Sequence, residues 1–170
     1  MKSTIINGAE INESDIRLKA FERSTRLAEI KAVYRSKVAA SERTHIQGTK
    51  DAVAYLRAIW NKDRLELAEE FLMICLNGAH QTLGWVKVAS GGFNATLVDP
   101  RVIFSIALQT ASSAIIVSHN HPSGGLLAST DDIEMTRRIC QAGKLLKIKV
   151  LDHIILTRES HYSFADDGKL

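Results

Sequence analysis

The stretch EEFLMICL, residues 69–76, is the feature that most restricts how this chain can fold. It has the length of a strand, and the Asn77-Gly78 pair behind it marks a turn. Alternation sets Phe71, Met73 and Cys75 on one face and Leu72, Ile74 and Leu76 on the other, so both faces are apolar. A strand of that kind is buried on both sides, inside a layered structure. Glu69 is in phase with Phe71 and Glu70 with Leu72. An acidic residue opening a doubly buried strand is costly unless it meets water, a cation or a metal site. Periodicity does not choose between the two.

The rest of the chain supplies the other layers. Residues 12–27 read as a polar helix with Asn12 or Ser14 as cap and Leu18, Phe21 and Leu27 facing inward, and 28–36 alternate as a strand through Ile30, Ala32 and Tyr34. TKDAVAYLRAIW, 49–60, is a helix capped by Thr49, with Val53, Leu56 and Trp60 at helical spacing. TLGWVKVAS, 82–90, is the antiparallel partner of 69–76. Asp99-Pro100 is a cap followed by proline at the first helical position, which predicts a helix over 100–111. AIIV, 114–117, is a buried strand. Residues 131–146 are a helix with Met135, Ile139, Ala142 and Leu146 on one stripe, and 148–157 close the chain as a strand or pair. Helices and strands mix throughout, so the class is α/β or α+β around a mixed sheet.

Composition narrows the setting. At 170 residues the chain suits one domain and can bury roughly 70% of its unfolded surface without staples. The longest apolar stretches fall far short of a membrane span, and Met1–Asp15 has neither the apolar core nor the cleavage site of a secretory signal, so the expected location is the cytoplasm. Cys75 and Cys140 sit in apolar-patterned segments, as buried thiols of a reducing compartment do. Net charge is +3, and residues 1–60 carry 11 basic against 7 acidic side chains, a modest surplus for a nucleic-acid binder.

The chemistry concentrates in SHNHPSGG, 118–125, at the exit of AIIV. His119 and His121, two apart, point the same way if the strand persists through them, so two imidazoles can meet one ion. Catalytic zinc takes three protein ligands and keeps a fourth position for water. Asp132, at the start of the next helix, is the geometric candidate for the third, with Asp131 as a competitor, and the Pro-Ser-Gly-Gly turn can bring the chain back. Ser129 and Asp132 equally form a capping box, and both roles can coexist. His153 reads as a satisfied strand histidine outside the site.

HNHPSG with Ser129 and Asp132 resembles the JAMM (MPN+) metalloprotease signature, His-x-His-Pro, six residues, then Ser-x-x-Asp. EEFLMICLN, the SGG loop at 90–92, DPRVIF, HNHPSG and LDHIIL together resemble the JAB domain of RadC-family proteins, from about residue 28 to the C-terminus. The resemblance implies a cytidine-deaminase-like α/β fold, a mixed sheet flanked by helices, over 28–170, preceded by a helical appendage over 1–27. It also implies a zinc ion on His119, His121 and Asp132. Glu69 is the implied general base, in a Glu, one residue, Phe order, and Ser129 helps hold the tetrahedral intermediate. RadC proteins commonly carry an N-terminal helix-hairpin-helix DNA-binding region, and residues 1–27 have no Gly-rich hairpin to supply one.

Three readings follow. The first is a zinc-dependent hydrolase of peptide or isopeptide bonds, because ligands, base and serine are all present. The second is a metal-dependent nuclease or DNA-repair accessory factor, against which the lack of an aromatic-basic cluster counts. The third is a nonenzymatic interaction module that uses the fold to form a homodimer.

Overall fold

The computed structural model describes residues 3–6, 9–12, 38–91 and 98–170. The chain divides into two units, Met1–Ala32 and Val33–Leu170. In the first, β1 (Ser3–Ile6) pairs antiparallel with β2 (Ala9–Asn12). The helix expected over 12–27 and the strand expected over 28–36 lie outside the described residues, apart from Asn12, which closes β2.

The second unit runs α1 (Thr49–Ile59), β3 (Glu70–Leu76), β4 (Thr82–Ser90), α2 (Pro100–Gln109), β5 (Ala114–Asn120), α3 (Thr130–Leu146), β6 (Lys149–Leu156) and β7 (His161–Ser163). Its sheet has the order β4-β3-β5-β6-β7. β5 and β6 are parallel and every other pair is antiparallel, giving the mixed α/β sheet that the pattern predicts.

The two apolar faces of β3 organise the core. Leu72, Ile74 and Leu76 meet Ala52, Val53 and Leu56 of α1, with Trp60, Ile116, Ile154 and Leu156. Phe71, Met73 and Cys75 meet Ile103, Phe104 and Ala107 of α2 and Ile139 of α3, with Ile115 and Val117. Each such side chain taken fully from water stabilises the fold by about 1.5–3 kcal/mol. Cys75 is buried and Cys140 half-buried, both as free thiols.

Some local expectations change. Thr49 is the first helical residue of α1, not its cap. Gly48 occupies the cap, and the Thr49 hydroxyl donates to Asp152 at 3.4 Å and Asp166 at 2.9 Å. α2 stops at Gln109 rather than 111, because Ala111 turns left-handed at φ 51°. In α3 Met135, Ile139 and Ala142 pack on the core as the stripe predicts and Thr136 and Gly143 are buried beside them, but Leu146 at the helix end is 39% exposed. Gly143 is needed for close packing, since a Cβ there would lie 2.6 Å from the Ile148 carbonyl. Among the described residues no helix is long and apolar enough to cross a membrane.

Candidate metal centre

β5 stays extended through Asn120, so His119 continues the face of Ile115 and Val117, under α2 and α3, while Asn120 takes the opposite face. His121 follows the strand in the same phase, its backbone N–H donating to the Leu156 carbonyl at 3.1 Å. The turn after it needs glycine at position 124, where φ is +80°. Its return places the Gly125 carbonyl 2.8 Å from His121 Nδ1. A carbonyl only accepts, so Nδ1 carries a proton, and in the neutral ring Nε2 presents a lone pair.

α3 begins where this turn ends. Ser129 caps it, its Oγ accepting from the Asp132 N–H at 3.1 Å. In return Asp132 Oδ2 accepts from the Ser129 N–H at 2.7 Å and the Ser129 hydroxyl at 2.6 Å. The capping box therefore aims the carboxylate. Asp132 Oδ1 lies 3.1 Å from His119 Nε2, and Oδ2 lies 3.6 Å from His121 Nε2. The two Nε2 atoms are 3.0 Å apart. One ligand atom from each of the three residues falls within 4.8 Å of the others, a group that could hold a metal ion. Asp131, the competing carboxylate, is exposed and outside this group.

The charges agree with that geometry. Burial alone would raise the Asp132 carboxyl, but the neighbouring His119 and His121 rings and the hydrogen bond from Ser129 hold it far below the ordinary carboxylate range. The Asp132 hydrogen bond raises His121 above its usual value against the effect of burial, and the Glu69 charge adds to the rise. Two imidazole nitrogens and a carboxylate suit zinc and similar borderline cations.

Glu69 stands half-buried just before β3, in phase with Phe71. The Phe71 ring stacks on His119 at 6.2 Å between centroids with an interplanar angle of 1°, so this is the face of the candidate centre. Glu70 faces the other way. It is buried, with Oε1 2.6 Å from both Arg64 Nε and Lys87 Nζ. Burial pushes its pKa up and those two cations pull it down further, leaving it below the usual value. Glu66 is exposed and paired with Arg158.

Three residues outside the sequence-based site complete the surroundings. Asn120 accepts from the Glu70 N–H at 2.7 Å and donates to the carbonyls of Leu65 at 2.7 Å and Ala68 at 2.9 Å, which ties the segment carrying Glu69 to the strand carrying His119. His153 lies behind His119, its Nε2 2.9 Å from His119 Nδ1, packed between Phe71 and Phe164. Burial, aided by the neighbouring His119, pushes its pKa well down. Its Nδ1 is 2.6 Å from the Thr136 hydroxyl, which donates to the Asp132 carbonyl at 2.6 Å. The sequence signals were Asn120 inside the His-x-His motif and the polar pair Asp152-His153 inside the apolar run of β6. The parallel pairing that sets Val117 opposite His153 is not legible from sequence.

Residues 46–169 match the model of the RadC-like JAB domain. A UPF0758 protein of Flavobacterium johnsoniae is 34% identical over 151 residues, covering 84% of this chain and 65% of the relative. UPF0758 proteins of Geotalea uraniireducens and Methanosarcina barkeri are 44% and 40% identical over 60% and 65% of this chain. The chain spans less than two thirds of the length of these relatives, 45% and 48% of the latter two.

Proposed function

Since the chain belongs to the RadC-like JAB domain family, we propose that it is a zinc-dependent hydrolase of peptide or isopeptide bonds, with His119, His121 and Asp132 as ligands. The observation that carries this reading is the convergence of two imidazole Nε2 atoms and a carboxylate within 4.8 Å, on the face that Glu69 shares. Bound zinc supplies a Lewis acid and lowers the pKa of a coordinated water to about 7.

The chain's own residues do the rest. Glu69, half-buried and outside the ligand group, takes a proton from water and delivers it to the leaving amine. Ser129 first orients Asp132. Because its backbone N–H also holds Oδ2 at 2.7 Å, the hydroxyl can turn to the developing oxyanion without releasing the ligand. Phe71 and Asn120 keep Glu69 and His119 in fixed relation. The partner on this reading is a peptide or protein chain, and the cytoplasm suits its two free thiols.

The test is cleavage of a peptide library by zinc-loaded protein, by the same protein after chelation, and by Glu69→Gln. Cleavage that requires metal and disappears in Glu69→Gln supports the reading. Zinc-loaded protein that cuts no peptide or isopeptide substrate, or cleavage that survives chelation, contradicts it.

A further inference from the structure

We infer that the cavity lined by the 60–67 segment and the start of the β6–β7 hairpin binds a small organic anion, a carboxylate carried on an apolar body, a function beyond the zinc reading and independent of it. The cavity measures about 770 Å³, within the range of small-molecule sites. Trp60, Leu65 and Leu156 form its apolar wall, and all three belong to the core that packs on α1. His119 continues the opposite face of the sheet, with Ile115 and Val117, so the sheet stands between this cavity and the candidate metal centre.

The wall calls for a hydrogen-bond acceptor with negative charge. Trp60 is 5% exposed, and its Nε1–H is buried and meets no acceptor among the described residues. A buried N–H without an acceptor is costly, and a ligand oxygen beside the indole removes that cost. The charges around it are unbalanced. Three cations, Arg57, Lys62 and Arg158, face two carboxylates, Asp63 and Glu66. Arg57 donates to the carbonyls of Thr157 at 3.2 Å, Arg158 at 2.9 Å and Ser160 at 3.0 Å, contacts that fix the guanidinium and leave its charge uncancelled. Lys62 is exposed and makes no ion pair among the described residues. Arg158 holds Glu66 at 2.8 Å, but the two side chains are 72% and 55% exposed, and a pair so open to water is weak and exchanges partners readily. Asp63 alone opposes the remaining two cations. A singly charged carboxylate matches that excess, whereas a doubly charged phosphate would crowd Asp63 and Glu66.

The chain has two tryptophans, Trp60 and Trp85, so the indole N–H signals in proton–nitrogen NMR read the cavity beside an internal control. Trp85 lies on β4 and is 45% exposed, and Trp85→Phe assigns the signals by deleting its own. The probes are N-acetylphenylalanine, its amide and acetate, titrated with a chelator present to keep them off the metal centre. N-acetylphenylalanine should shift the Trp60 signal saturably, with a Kd in roughly the millimolar range for a ligand of its size, and leave the Trp85 signal in place. The amide lacks the charge and acetate lacks the apolar body, so each should bind at least about 5-fold more weakly. Lys62→Glu, a change at an exposed position, should weaken N-acetylphenylalanine by about 5-fold. A Trp60 signal unmoved by about 10 mM N-acetylphenylalanine, equal affinity for the acid and its amide, or an unchanged Kd in Lys62→Glu overturns the inference.

Discussion

Glu69 and Glu70 are neighbours in sequence with opposite surroundings, and exchanging each for glutamine separates stability from chemistry. Glu70 makes two charged contacts at 2.6 Å, to Arg64 and Lys87. Breaking a fully buried pair costs about 3–5 kcal/mol, and breaking an exposed one about 0–1 kcal/mol. Here the carboxylate is 2% exposed, whereas the two cations are 37% and 42% exposed and return to water when it is neutralised. Glutamine keeps an acceptor oxygen. Glu70→Gln should therefore lose about 2 kcal/mol, between those limits, or about 4–8 °C in Tm for a chain of this length. Because the folded pKa of Glu70 is depressed, its contribution is fully present above the unfolded value near 4.3 and is lost as pH falls through the folded one. Urea denaturation should show the gap between wild type and variant at neutral pH and its closure in acid. Zinc content and turnover should stay near wild type, since Glu70 faces away from the centre. Glu69→Gln should do the reverse: fold and zinc retained, hydrolysis abolished. An active Glu69→Gln protein, or an inactive Glu70→Gln protein with normal zinc and fold, would refute the assignment of the two faces.

Ser129→Ala should cost about 1 kcal/mol through the lost cap and lower turnover by roughly 100-fold or more through the lost oxyanion donor. Unchanged kcat in a destabilised variant would leave only the structural role. Zinc affinity, followed by chelator competition against pH, should begin to fall near neutrality as pH is lowered, because Asp132 raises the His121 pKa above 6.5 and a proton on Nε2 competes with the ion. By the same sign, the metal-free protein is stabilised by His121 below pH 6.5, and that contribution is lost as pH rises through the folded value. An affinity flat across this range would count against His121 as a ligand. Gly143→Ala should lose about 1–3 kcal/mol, since its Cβ meets the Ile148 carbonyl at 2.6 Å, and equal denaturation midpoints would show that the helix shifts freely.

Local periodicity carried much of this architecture. The double apolar face of EEFLMICL located the central layer and its two cores, and Asp99-Pro100 located the start of α2. The spacing from His119 to Asp132 was legible because the strand end, the turn and the cap are all local features. What escaped depends on contacts across the fold. Periodicity left Glu69 and Glu70 undecided, and the resemblance alone pointed to Glu69. Their different surroundings, the Phe71–His119 stack on one side and the cations at Arg64 and Lys87 on the other, the latter from β4, come from contacts across the fold. The roles of Asn120, Thr136 and His153 depend on hydrogen bonds spanning 50, 17 and 34 residues, set by strand order and by a parallel pairing that no periodicity encodes. Thr49 was misread as a cap because its hydroxyl is used by Asp152 and Asp166, far along the chain.

Elemental analysis of purified protein, wild type beside His119→Ala and His121→Ala, tests the proposed zinc centre most directly. Three ligands converging on one point predict about one zinc per chain in the wild type and its loss in both variants, with the fold retained. A wild type that takes up no zinc on reconstitution, or variants that both keep a full complement, would contradict the centre described here.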